Sequence, residues 1–313
     1  GGAASETVSS PRVIYDATNQ RFAIFTYFED TAFVTASLRG SYVAEAGGSV
    51  TGPTSLISMT YAAGPVPIID AALYAGQGYA LAAVDCATNV KLRIVDLGLT
   101  PTIATVTGAP ATAPTSLVAH ATYSAGVLTA HAFYGAGANL RGRRVPSNTG
   151  VIAAESTVTT LTGSIGRIAT VDSGSDIYLV LDQTSSTSNT YATTYLVSAT
   201  TAHAFNSKTA INTNCFIAGR IFTMRSRNCI PLVFTSNSNQ STHFVLDVSE
   251  AAGNLGNTTA AEPLFVSRLD YGEVAWSSLA STSGYTQLRV PGTNSAFVPY
   301  LKFETDLRMA GTV

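Results

Sequence analysis

Arg12-Val13-Ile14-Tyr15-Asp16, then Ala17-Thr18-Asn19-Gln20, then Arg21-Phe22-Ala23-Ile24-Phe25-Thr26-Tyr27-Phe28, reads as strand, turn, strand. Both flanks are rich in β-branched and aromatic residues, and a short polar link joins them. No apolar period near 3.6 residues runs through the stretch, so a helix is not expected. After Glu29-Asp30 a third run, Thr31 to Leu38, completes a three-stranded unit.

Five further units follow the same plan. The second is Ile68 to Tyr74, Tyr79 to Val84 and Val90 to Leu97. The third is Ser116 to Tyr123, Val127 to Tyr134 and Leu140 to Val145. The fourth is Gly166 to Val171, Asp176 to Leu181 and Tyr191 to Val197. The fifth is Phe216 to Met224, Cys229 to Phe234 and Ser241 to Val248. The sixth, weaker, is Phe265 to Leu269, Glu273 to Leu279 and Tyr285 to Val290. Gly/Pro/Thr stretches between units leave room for a fourth, outer strand, as at Thr102 to Thr107 and Val151 to Leu161.

The middle strands recur roughly every 45 to 55 residues, the period and strand count of a β-propeller blade. A lone small sheet cannot bury both its faces, but stacking it against the next one can. Middle strands should then be apolar on both faces, as Phe22 to Phe28, Tyr79 to Val84 and Ile177 to Leu181 read. The expected fold class is all-β, a propeller of about six blades with three to four antiparallel strands each. The approximate blades are 11–38, 66–97, 115–145, 165–197, 215–248 and 264–290, with a closing strand at 296–303 that can pair with the N-terminal unit. Residues 1–313 form one domain on this reading, which can be a segment of a longer chain. Five or seven blades, two β-sandwich domains and a β-solenoid are the competing architectures.

Composition narrows the function classes. Of 313 residues, 46% are apolar and only 12% charged, about half the usual charged share. A sizeable core is therefore available, and 14 Tyr with 13 Phe argue against disorder. A charge-poor surface suits an extracellular protein or a subunit packed in a large assembly better than a free cytosolic monomer. The net charge of −2 lacks the basic excess of a dedicated nucleic-acid binder. No apolar run is long enough for a transmembrane helix, and Gly1 to Ser5 shows no signal-peptide pattern. Cys86, Cys215 and Cys229 form no CxxC pair, which speaks against zinc and redox motifs. A Cys215–Cys229 disulfide across neighbouring strands is conceivable; free buried thiols are the simpler expectation.

Candidate chemistry is sparse, and no catalytic residue is assigned. Asp16, Asp70, Asp85, Asp172, Asp182, Asp247 and Asp270 could supply a carboxylate pair, but Asp is also a favoured turn-capping residue. His120 and His131 flank the tight turn Ser124 to Gly126 and should face each other across one hairpin. Such a pair binds a transition metal only with a third ligand, and the local sequence offers none. Neither a metal nor a cofactor is expected. Gly-X-Ser-X-Gly does not occur, so no nucleophile elbow is in view. The basic clusters Arg141, Arg143, Arg144 and Arg225, Arg227 are candidates for contact with DNA phosphates or acidic neighbours. Tyr15, Tyr74 and Tyr123 all end first strands; exposed, they would form a ligand-binding set for sugars, and buried, they would be core aromatics.

The units typified by Arg12 to Asp16 and Arg21 to Ile24, set in Thr/Ala/Gly-rich filler without a catalytic pattern, resemble the β-propeller segments of tailed-bacteriophage virion proteins, especially the tail nozzle. The resemblance implies a non-enzymatic structural protein of a virion, assembled as a homo-oligomer with other virion subunits, with transient contact with DNA in a tail channel. It implies localisation in the particle; secretion is the alternative. Two other functions stay open: a carbohydrate-binding propeller for surface glycans, and a secreted glycan-cleaving enzyme.

Overall fold

The computed structural model describes residues 6–30, 35–60, 68–84, 90–99, 106–108 and 114–160, and from 163 to 304 the strands named below together with Ala199. Among these residues there are 24 strands and no helix. They form six antiparallel sheets, in almost all of which each strand lies beside its neighbour in sequence.

The first sheet holds β1 (Glu6–Asp16), β2 (Arg21–Asp30), β3 (Thr35–Ala44) and β4 (Thr51–Thr60). The second holds β5 (Ile69–Tyr74), β6 (Gly78–Val84), β7 (Val90–Val95) and β8 (Val106–Gly108). The third holds β9 (Pro114–Ser124), β10 (Val127–Ala136), β11 (Asn139–Pro146) and β12 (Ser156–Thr160). The fourth holds β13 (Gly163–Ser173), β14 (Asp176–Ser185), β15 (Thr190–Ser198) and β16 (Phe205–Thr213). The fifth holds β17 (Cys215–Ile217), β18 (Phe222–Met224), β19 (Arg227–Thr235), β20 (Ser241–Asp247) and β21 (Pro263–Ser267). The sixth holds β22 (Ala275–Ser277), β23 (Tyr285–Arg289) and β24 (Tyr300–Glu304). The chain divides into two compact units, Gly1–Leu161 with Ser198–Phe205, and Thr162–Val197 with Asn206–Val313.

In the first unit the second sheet is sandwiched. All seven residues of β6 are buried. Successive side chains of a strand point to opposite faces, so Tyr79, Leu81 and Ala83 pack with Ala23, Phe25, Tyr27 and Leu38 of the first sheet. Ala80, Ala82 and Val84 pack on the other side with Ala119, Ala121, Ala130 and Tyr134 of the third. β5 divides the same way: Ile69 and Ala71 face the first sheet, Ala72 and Tyr74 the third. Removing a side chain as large as Phe25 from water is worth about 1.5–3 kcal/mol, and the alanines bring the sheets close enough for the large rings to interlock. Expected apolarity on both faces of the middle strand thus holds for β6.

It holds less fully for β2, whose burial alternates at its start. Phe25 and Tyr27 are fully buried, whereas Phe22 is 38% exposed and its neighbours Val13 and Tyr15 are 58% and 43% exposed. Within the first unit, the side of the first sheet turned away from the second sheet therefore carries apolar side chains.

Turn chemistry follows local rules. β9 and β10 join through a two-residue loop with Ser124 opposite Val127, and both loop residues have positive φ, Ala125 at 49° and Gly126 at 80°. This is the turn that matches strand twist. Gly78 opens β6 at φ 139°, where an added Cβ would lie 2.6 Å from the Val95 carbonyl oxygen.

Several boundaries differ from the sequence reading. The third strand runs on to Ala44 because Arg39-Gly40-Ser41-Tyr42-Val43 continues the in–out alternation, and β4 is an outer strand in one of the stretches between units that left room for one. The run read as one strand from Phe216 to Met224 is two short strands, both paired with β19. Pro263–Ser267, read as opening the sixth unit, pairs with β20 as the outer strand of the fifth sheet. Tyr300–Glu304, overlapping the closing strand expected at 296–303, pairs with β23 as the outer strand of the sixth sheet rather than with the N-terminal unit. Leu264, Phe265 and Val266 read as a strand but do not say which neighbour it joins, and the alternation of Tyr300–Glu304 is equally silent on its partner. In the second unit Cys215 sits opposite Phe234 and Cys229 opposite Phe222. Phe234 and Cys229 are five residues apart on β19, about 16 Å along a strand. That exceeds the Cα separation a disulfide can span, so Cys215 and Cys229 do not bridge. Cys86 lies outside the described residues.

Candidate functional site

The charged side chains of the first unit are mostly built into the sheets. Asp16 ends β1 at 0% exposure. Its carboxylate accepts from the Tyr79 hydroxyl at 2.7 Å, the Asn19 side-chain amide at 2.9 Å and the Asn19 backbone N–H at 3.2 Å. Arg21 Nε lies 3.4 Å away. Burial alone would raise the Asp16 pKa, but the hydrogen bonds from Tyr79 and Asn19, with the Arg21 charge, outweigh it and hold it below the ordinary carboxylate value. Arg21 also donates to the Leu97 carbonyl, as does the Tyr42 hydroxyl, and its guanidinium lies 3.5 Å over the Tyr42 ring. Burial pushes the Tyr42 hydroxyl up to about 12. Burial and the bond to Asp16 drive Tyr79 higher still. Asp16 does cap its turn, as expected of Asp, and also ties the first sheet to the second.

Asp70 has the matching role in the second sheet, from a strand rather than a turn. It is the second residue of β5 and 6% exposed. It accepts from Arg12 Nε of β1 at 3.2 Å and from the Ala119 backbone N–H of β9 at 2.9 Å. β9 is the edge strand of its sheet, so the carboxylate satisfies an edge donor that would otherwise be open to pairing. One side chain links the first strands of three sheets.

Glu155 completes the set. It accepts the Tyr134 hydroxyl and lies 3.7 Å from Arg141 and 3.9 Å from Arg143. Arg143 Nε also donates to Tyr134 Oη at 3.3 Å. Burial and the bond to Glu155 raise the Tyr134 pKa. Arg144, on the other face, donates to the Ala199 carbonyl at 3.2 Å. Of the arginines named from sequence, Arg141 and Arg143 thus share one carboxylate and Arg144 points elsewhere. Arg225 lies outside the described residues, as does the side chain of Arg227.

His120 and His131 are register partners, with ring centroids 6.3 Å apart and tilted by 53°. His131 is fully buried, stacks on Phe133 and shares a 2.8 Å hydrogen bond with Thr122 Oγ1. Among the described residues no group of three or more His, Cys, Asp or Glu could hold a metal ion, and no helix is long and apolar enough to cross a membrane. Asp172 is exposed on β13; the side chains of Asp182 and Asp247 are not described, and Asp85 and Asp270 lie outside the described residues.

The three tyrosines do not share a site. Tyr74 and Tyr123 pack on the core between the second and third sheets, rings 5.6 Å apart. Tyr15 alone is exposed. Its ring lies 5.2 Å from Phe22, and its hydroxyl donates to exposed Glu45 at 2.7 Å, which raises its pKa. Val13, Tyr15, Phe22 and Glu45 form the exposed ledge of this unit. Glu45 and Phe22 were missed from sequence; the register Tyr15↔Phe22 was the available signal.

Antiparallel sheets of three to five strands follow one another along the chain, and in the first unit they stack face to face. The fold is a β-propeller. No family model matches the chain, and no curated protein sequence matches it. Among solved structures, the BP39L lectin from Burkholderia pseudomallei superposes with a TM-score of 0.56 at 11% identity, over 99% of this chain and 84% of the lectin. The β-propeller domain of the Trilobed protease from Pyrococcus furiosus gives 0.47 at 8% identity, over 97% and 82%. A prolyl endopeptidase gives 0.46 at 11% identity, and the chain spans only 40% of its length. At these identities the likeness is one of fold.

Proposed function

We propose that this chain is a non-enzymatic structural and interaction propeller that works as one copy in a multimeric assembly. The tail of a tailed phage is the kind of assembly whose propeller segments its sequence resembles. The observation that carries the reading is how the chain spends its charges. Asp16, Asp70 and Glu155 each hold sheets or strands together, while the first sheet leaves Val13, Tyr15 and Phe22 in solvent. A carboxylate fixed by several donors is poorly placed for proton transfer, and an apolar face on a charge-poor surface favours contact with protein. Light scattering of the purified chain tests this: a mass that is a multiple of 32.4 kDa supports it, and a monomer at all concentrations refutes it.

A second reading is favoured by the Tyr15–Phe22 pair. An exposed aromatic platform with a carboxylate at its edge suits a sugar ring, whose C–H face stacks and whose hydroxyls donate. The lectin of like fold is consistent with it. A glycan array separates the readings: binding that Tyr15→Ala abolishes would favour glycan recognition.

A further inference from the structure

We infer that Arg141 and Arg143 form a binding site for a small hydroxylated monocarboxylate, the chemistry of a uronic-acid unit. The site lies within the first unit and goes beyond the assembly reading above.

Register builds it. Across the third sheet Tyr134 pairs with Arg141, and Arg141 with Thr157. One step along, Ala132 pairs with Arg143, and the pairing of Gly142 with Ser156 sets Glu155 beside it. Ala132 and Tyr134 belong to the core shared with the second sheet. Alternation therefore turns both arginines to that side.

Positive charge is left over there. Glu155 lies 3.7 Å from Arg141 and 3.9 Å from Arg143, in both cases too far for a hydrogen bond. Its close bond goes instead to the Tyr134 hydroxyl. Among the described residues Arg143 hydrogen-bonds through Nε alone, to Tyr134, and Arg141 through Nη1 alone, to Thr157. Arg141 Nε is shielded from solvent and has no partner. The Arg143 side chain is 10% exposed. Buried N–H groups are nearly always hydrogen-bonded, so the cluster calls for an acceptor from outside the chain. A guanidinium takes a carboxylate through two parallel N–H donors.

The surroundings narrow the class of ligand. Two guanidiniums face one carboxylate, which leaves one positive charge, and a monoanion balances it. A dianion such as a phosphate monoester would meet the Glu155 charge. A nucleic-acid backbone needs a track of cations, and Arg144 of the same strand turns to the other face. Glu155 Oε1 accepts no hydrogen bond from a described residue, so it can receive a hydroxyl. Donors for a carboxylate thus stand beside an acceptor for a hydroxyl, the pattern that a uronic acid complements.

The test titrates the purified chain with galacturonate, galactose, acetate and inorganic phosphate by calorimetry, and follows arginine Nε–Hε resonances by NMR, with thermal unfolding of each variant. Galacturonate should bind. Galactose and acetate, each carrying half of the pattern, should bind at least about 10-fold more weakly. Arg141→Gln should weaken galacturonate about 10- to 100-fold at an unchanged Tm. Arg141→Lys should recover little of it, because an ammonium has no planar fork. In wild type the Arg141 Nε–Hε resonance, identified by its absence from Arg141→Gln, should shift during the titration, which tests the site with the fold unaltered. Tighter binding of a galacturonate trisaccharide assigns the end of a polymer and equal binding assigns the free acid; either supports the site. Absence of saturable galacturonate binding overturns the proposal, as does binding that Arg141→Gln leaves intact. Phosphate bound more tightly than galacturonate overturns it in favour of a phosphate-bearing ligand.

Discussion

Replacing Asp16 with alanine removes a buried carboxylate that serves four donors from three residues. Asn19 is exposed, and its two donors can turn to water, so they contribute little. The Tyr79 hydroxyl is fully enclosed and loses a hydrogen bond to a charged group, about 1.5–3 kcal/mol. Arg21 keeps the Leu97 carbonyl and the Tyr42 ring, so its loss of Asp16 at 3.4 Å adds about 1 kcal/mol. Together these give about 2.5–4 kcal/mol, overlapping the range for breaking a buried ion pair. For a unit of about 170 residues that lowers Tm by about 5–16 °C. Thermal and urea unfolding of Asp16→Ala, Tyr79→Phe and the double variant form the assay. Tyr79→Phe alone should cost about 1.5–2 kcal/mol, and the cycle should show a coupling of about 1–3 kcal/mol. An Asp16→Ala protein within about 0.5 kcal/mol of wild type, or an additive cycle, would refute the claim that this carboxylate ties the sheets together.

Further outcomes can be checked with the same material. Because the folded-state pKa of Asp16 is depressed, its stabilisation is present above the unfolded carboxylate pKa and fades as pH falls through the folded one, so wild type should lose stability below about pH 4 and Asp16→Asn should lose less. Tyr42 is raised to about 12 and Tyr79 and Tyr134 are raised further; their stabilisation is full below about pH 10 and is lost as pH rises, so absorbance titration should find these tyrosines ionising only with alkaline unfolding. Gly78→Ala should cost more than about 2 kcal/mol, since its Cβ would lie 2.6 Å from the Val95 carbonyl in a left-handed backbone; a Tm equal to wild type would contradict the turn. Non-reducing peptide mapping should find no Cys215–Cys229 linkage.

Sheet identity and order were legible because alternation is strong where both faces are buried. Gly78 to Val84 is apolar at every position, and its turn residues mark both ends. Legibility failed for the outer strands. Thr51–Thr60 is largely small and polar, and Pro263–Ser267, though apolar at Leu264, Phe265 and Val266, could join the unit before it or the one after. The exposed ledge was half legible. Tyr15 stood out as a strand-end aromatic, but its difference from Tyr74 and Tyr123 depends on which face each strand turns outward, and that follows from sheet stacking. Asp70 was legible as part of the strand Ile68 to Tyr74, but its role was not: its partners, Arg12 and Ala119, are 58 and 49 residues away, and no local pattern announces a contact of that range.

Native mass spectrometry of the intact chain across a concentration series tests the central claim, multimeric assembly, most directly. Species at two or more times 32.4 kDa are expected, with a population that falls on dilution. A single 32.4 kDa species at every concentration would contradict multimeric assembly.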